Sequence, residues 1–94
     1  MTFEEILIDN YEAVKARGLI NEFTTFNDFK KKLLEEIKEM ENEFDVTTGH
    51  ENKEFESELI DCICVITNMA LHYGIDIKQG LINNAIKNWD RCYK

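Results

Sequence analysis

The 94-residue chain contains no proline and only four glycines. A chain with so few backbone breakers favours long helices over an architecture of short strands and tight turns. No apolar run reaches the roughly 18 residues that a membrane span requires, so no membrane attachment is expected. Cysteine is scarce and odd in number: Cys62, Cys64 and Cys92. An odd count argues against a closed disulfide framework, and the spacing of Cys62 and Cys64 does not match a C-x-x-C redox or zinc motif. The expectation is free, buried thiols in a reducing compartment. Glu4 and Glu5 interrupt the N-terminus where a secretory leader would be apolar, so a cytoplasmic location is expected. Cations are also short: 11 Lys and Arg face 19 Asp and Glu, for a formal charge of −8. That deficit excludes the broadly basic face that a nucleic-acid or anionic-membrane binder would present.

The acid is concentrated. Eleven of the 19 acidic residues fall between positions 35 and 61, where the only cations are Lys38 and Lys53. The remainder of the chain is close to neutral. A chain of this length makes one domain, residues 1–94, with little core to spare.

Four helices are legible. The first spans about Phe3 to Arg17 and stops at Gly18, after basic residues in its last turn. The second spans about Phe26 to Phe44. Thr24 or Thr25 can cap it, and Phe26, Phe29, Leu33, Ile37, Met40 and Phe44 recur on one face. Asp45 to Lys53 is polar and reads as a loop. The third helix spans about Glu54 to Tyr73 and ends at Gly74. Asp76 caps the fourth, with Gln79 placed for a reciprocal bond. That helix carries an apolar stripe of Ile77, Leu81, Ile82, Ala85, Ile86 and Trp89, and Trp89 reads as core. Gly80 inside it suggests a close packing contact. The run Ile60 to Ile66 is rich in β-branched residues, but the periodic segment around it is too long for one strand. The predicted fold is all-α: a four-helix bundle-like protomer.

The third helix is apolar in nearly every direction. On a wheel of 3.6 residues per turn, Glu54, Glu58, Asn68 and His72 fall within about 60° of Asp61. Val65 is the one apolar residue of that sector. A helix apolar on most sides is buried on most sides, so the core is expected to be completed by oligomerisation, in a homodimer or tetramer. On the second helix, Glu36 and Glu39 are neighbours three residues apart. Face-to-face packing of the two helices makes Glu36, Glu39, Glu58 and Asp61 converge, with Glu35 beside them. Four carboxylates in a partly buried pocket either take up protons or hold cations. An all-oxygen donor set suits Mg²⁺ or Mn²⁺ rather than zinc. On the fourth helix, Asn84, Lys87, Asn88 and Arg91 share a face and offer phosphate-binding chemistry. His72 reads as a packed histidine, and nothing singles out His50.

In order, these residues spell E-E-x-x-E at Glu35–Glu39, E-x-x-D at Glu58–Asp61, then Gly74-Ile75-Asp76-Ile77 and N-x-x-R at Asn88–Arg91. From Thr24 to Lys94 the chain resembles the MazG-like all-α nucleoside triphosphate pyrophosphohydrolases. The resemblance implies a homo-oligomer that cleaves a nucleoside triphosphate to a monophosphate and pyrophosphate. It implies Mg²⁺ held by Glu36, Glu39, Glu58 and Asp61, with Glu35 supporting them or orienting the attacking water. Lys87 and Arg91 would contact phosphate, with Asn88 nearby. Many members carry a lysine where this chain has Asn84. Attack by a metal-activated water is the simplest mechanism, because no nucleophile–histidine pair and no Gly-rich phosphate loop are present. A phosphoribosyl-ATP pyrophosphohydrolase is a close variant of that activity. The alternative is a non-catalytic helical module that binds a nucleotide or a protein partner.

Overall fold

The computed structural model describes residues 1–44 and 52–93. It contains α1 (Phe3–Ala16), α2 (Phe26–Glu43), α3 (Lys53–His72) and α4 (Ile77–Cys92), with no strand among the described residues. Most of the anticipated 45–53 loop, including His50, lies outside the described residues.

Local chemistry sets the helix ends. Thr2 Oγ1 accepts from the Glu5 amide at 3.1 Å and opens α1. Thr25, rather than Thr24, caps α2. Its hydroxyl accepts from the Asp28 amide, and Asp28 Oδ2 accepts from the Thr25 amide at 2.8 Å, satisfying two otherwise orphan donors. Asn52 caps α3 through the Phe55 amide, and Asp76 caps α4 through the Gln79 amide. The reciprocal bond anticipated from Gln79 is not formed. Its side chain instead donates forward to Asn83 Oδ1 at 2.9 Å, the neighbour one turn along. Gly18 (φ +78°) and Gly74 (φ +69°) stop α1 and α3 in the left-handed conformation, where a Cβ would be strained.

The main pairing is α2 against α3, with α1 laid on α3. Leu7, Ile20, Phe29, Cys62 and Val65 form the small core. His72 ties three segments together. Its Nε2 meets the Thr24 carbonyl at 3.2 Å, and its Nδ1 meets the Tyr11 hydroxyl at 2.9 Å. A carbonyl only accepts, so Nε2 carries a proton and donates to Thr24. Phe29 packs on the same imidazole, with ring centroids 5.2 Å apart. The packed reading of His72 agrees with this arrangement.

The helix α4 stands apart. The chain bends by 110° between α3 and α4, α4 touches α3 only slightly, and no α4 residue is buried. Trp89, expected in the core, is 63 % exposed, with Tyr93 stacked beside it. Gly80 has no packing neighbour either: a Cβ built there meets nothing within 4 Å. Gly80→Ala should therefore stabilise the protein by up to about 1 kcal/mol, raising the thermal midpoint by roughly 4–8 °C. A calorimetric melt with an unchanged or lower midpoint would show that the glycine serves a contact outside the single chain.

The arrangement of α3 is partly inverted relative to a simple bundle helix. Only part of its polar sector turns inward: Asn68 is buried and Glu58 and His72 are half-buried, whereas Glu54 and Asp61 are exposed. Its aliphatic residues Ile60, Ile63 and Ile66 face outward and are about half exposed. The radius of gyration is 15.6 Å, against about 12 Å for a compact chain of this length. No single helix among the described residues is long and apolar enough to cross a membrane. The expectation of buried thiols holds for Cys62 alone: Cys64 is half-buried and Cys92 is exposed, because α4 lacks a covering layer.

Candidate functional site

The pairing of α2 and α3 brings Glu36, Glu58 and Asp61 together. One carboxylate oxygen from each lies within 4.8 Å of the other two. The cause is periodicity. Glu58 and Asp61 sit three apart on α3, so both side chains leave from one side of the helix. Glu36 lies at the edge of the apolar stripe that docks α2 against α3, and is only 6 % exposed.

The electrostatics of this group are unbalanced. Glu36 Oε1 accepts from Lys32 Nζ at 2.9 Å, one turn earlier on α2. That ion pair holds the Lys32 ammonium above the usual lysine range. Glu36 Oε2 and Glu58 Oε2 are both buried without a hydrogen-bond partner. Burial, then hydrogen bonding with the Glu39 carboxyl, then the charges of Glu39, Asp61 and Glu36, raise Glu58 to about 7. Glu39 therefore acts on the cluster through Glu58, and the three-residue group forms without it. The same negative field, added to burial, pushes the Cys62 and Cys64 thiols up, so neither is primed as a thiolate.

A cavity of about 600 Å³ opens beside the carboxylates. Glu36 and Asp61 line one part of it, together with Glu35. Its apolar wall is built by Val14, Ile20, Phe29 and Val65. Two cations also line it: Arg17, just past α1, and Lys32. Sequence reasoning missed both. Lys32 could have been found from its i, i+4 spacing to Glu36. Arg17 depends on the path of the α1–α2 connector, which spacing does not give. Asn68 lines the cavity as well.

The fourth-helix residues are not part of this group. Lys87 and Arg91 line a separate shallow cleft of about 340 Å³ with Asn83, Ile86 and Asp90. None of the anticipated phosphate residues Asn84, Lys87, Asn88 and Arg91 lines the carboxylate cavity. The reason is the 110° bend, which turns α4 away from α2.

Chemically, the three carboxylates form an all-oxygen donor set with two unpartnered buried acceptors. A hard cation would satisfy those acceptors and offset the mutual repulsion that now raises Glu58. Comparison with protein-family models, curated proteins and solved structures found no match to this chain.

Proposed function

We propose that the protein is a Mg²⁺-dependent nucleotide pyrophosphohydrolase, converting a nucleoside triphosphate to the monophosphate and pyrophosphate. The observation that carries this reading is the convergence of Glu36, Glu58 and Asp61, the first and last of which line a cavity that Arg17 and Lys32 also line. Anionic donors for a metal and cations for phosphate stand at one opening, above an apolar pocket of ligand size. The motif order that resembles the MazG-like enzymes supports the same reading.

Glu36, Glu58 and Asp61 would hold the ion, Mg²⁺ or alternatively Mn²⁺. When bound, it would neutralise phosphate charge and lower the pKa of a coordinated water. Glu39 would hold Glu58 in place. Glu35, at the cavity lining, would orient the attacking water by accepting its proton. Lys32 and Arg17 would face the phosphate chain, and Phe29 with its apolar neighbours would exclude water from the base end. The assay is pyrophosphate release from a panel of ribo- and deoxyribonucleoside triphosphates, with phosphoribosyl-ATP included.

We further propose that the working unit is a homo-oligomer, at least a dimer. The outward faces Ile60, Ile63 and Ile66 on α3, and Leu81, Ile86 and Trp89 on α4, are all exposed in the single chain. Covering them removes a large apolar area from water. Such an assembly is also what would carry Lys87, Asn88 and Arg91 of one copy toward the carboxylates of another, alongside Asn84. Sedimentation should give a dimer or tetramer for the wild type and a monomer for Ile63→Glu. A wild-type monomer at every concentration would contradict the assembly.

One observation favours the second reading, a non-catalytic nucleotide- or partner-binding module: Lys87 and Arg91 lie outside the carboxylate cavity. Nucleotide binding in calorimetry without any product would decide for it.

A further inference from the structure

Asn68 is 4 % exposed, and its side chain is only half satisfied. Its Nδ2 donates weakly to Cys64 Sγ at 3.6 Å. Its Oδ1 is buried and has no partner. A buried acceptor left unpaired destabilises the fold, so it calls for an explanation in terms of what it binds. Asn68 lines the 600 Å³ cavity, whose wall combines apolar residues, among them Val14, Ile20, Phe29 and Val65, with charged and polar ones. That volume lies in the usual range for a small-molecule pocket, which combines apolar walls with a few placed polar groups.

The position along α3 gives the register. Asn68 lies seven residues beyond Asp61, so it stands on the same side of the helix, about 10 Å further along the axis. Asp61 lines the same cavity. A ligand with its phosphates at the carboxylates would extend its other end toward Asn68. Resting on the nucleotide reading above, we propose that this cavity is the base pocket and that Asn68 Oδ1 is its specificity-determining acceptor, selecting a base with an amine at pyrimidine C4 or purine C6, cytosine or adenine. The amine supplies the missing donor. A keto oxygen at the same ring position sets acceptor against acceptor, and the base must shift to offer its ring N–H instead. Sites built on a buried polar group discriminate strongly for this reason.

The test uses matched pairs that exchange an amine for a keto group, with a proton on the neighbouring ring nitrogen: dCMP against dUMP, and dAMP against dIMP. Each is titrated into the full-length protein with Mg²⁺ in a calorimeter. In at least one pair, the amino member should bind about tenfold or more tightly than its keto counterpart. Asn68→Leu should bring that ratio close to one, and Asn68→Asp, which keeps an acceptor at the same place, should retain the amino preference. Circular dichroism checks that each variant is folded, and the wild-type ratio stands as a test without either. Equal binding within both pairs, a keto preference, or no binding of any of the four would overturn the proposal. Because monophosphates are products, the result does not depend on turnover. An amino preference without pyrophosphate release would sink the hydrolase reading and keep the pocket. Release without any amino preference would do the reverse.

Discussion

Replacing Asp61 by asparagine, or Glu58 by glutamine, is expected to lower Mg²⁺-dependent pyrophosphate release by roughly 10³-fold, because a metal centre contributes several kcal/mol of transition-state stabilisation. Both residues belong to the carboxylate group whose oxygens lie within 4.8 Å of one another, so each change removes one anionic donor. The same substitutions are expected to leave the metal-free fold intact or stabilise it, since each relieves repulsion in the cluster. Activity and stability should thus move in opposite directions, as expected where a site holds strained groups for function. Glu36→Gln should lose activity to a similar extent without the same gain in stability, because Glu36 is also paired with Lys32. Steady-state kinetics with thermal melts on the same samples check both halves. A variant that kept most of its activity would remove that residue from the centre.

The second large effect is a coupling of stability to pH and metal. Glu58 is raised to about 7 by burial first, then by hydrogen bonding with Glu39 and by the neighbouring charges. In the unfolded chain a glutamate titrates near roughly 4.3. Between these values the folded protein holds a proton that the unfolded chain has released. The stability due to this proton is fully present below the unfolded value and is lost as pH rises through about 7. Without metal, the contribution of Glu58 therefore lowers the melting temperature between pH 5.5 and pH 8. The lowered carboxyls of Glu4 and Asp28 do not disturb this window, since their contributions are lost only in acid, below the ordinary carboxylate range. A hard cation requires ionised ligands, so millimolar Mg²⁺ or Mn²⁺ should raise the melting temperature more at pH 8 than at pH 5.5. Glu58→Gln should flatten both dependences. A melt unaffected by metal at pH 8 would count against a preformed centre.

Much of the architecture was readable from residue order because the punctuation is local. Gly18 and Gly74, Thr25 with Asp28, and Asp76 each act on the backbone within a few residues of themselves. The first three helices accordingly begin and end within about one residue of the expected places, and α4 begins just after its expected cap. The carboxylate group was readable for a related reason. Spacings of three residues on α2 and α3 fix which side chains share a side, and one helix pairing brings them together. Glu39 differs from its neighbours because it stands against Glu58 rather than completing the group.

What was not readable depends on three-dimensional paths. The 110° turn between α3 and α4 follows from the Gly74–Asp76 link, and no periodicity encodes that angle. It exposes Trp89 and keeps Lys87 and Arg91 out of the lining of the cavity, where the family resemblance had implied phosphate contacts. Arg17 reaches that cavity only because the α1–α2 connector folds back beside α3. Asn68 was visible as a member of the polar sector of α3. Its unpartnered oxygen was not, since satisfaction depends on what each neighbour already donates.

The central claim is that an acidic chain handles an anionic substrate through a metal held by Glu36, Glu58 and Asp61. The most direct measurement is pyrophosphate release from a nucleoside triphosphate panel, with and without Mg²⁺, alongside the Asp61→Asn protein. The account predicts monophosphate and pyrophosphate in equal amounts, formed only with the divalent ion and reduced about 10³-fold in the variant. Absence of pyrophosphate from every substrate, or equal release by wild type and Asp61→Asn, would contradict it.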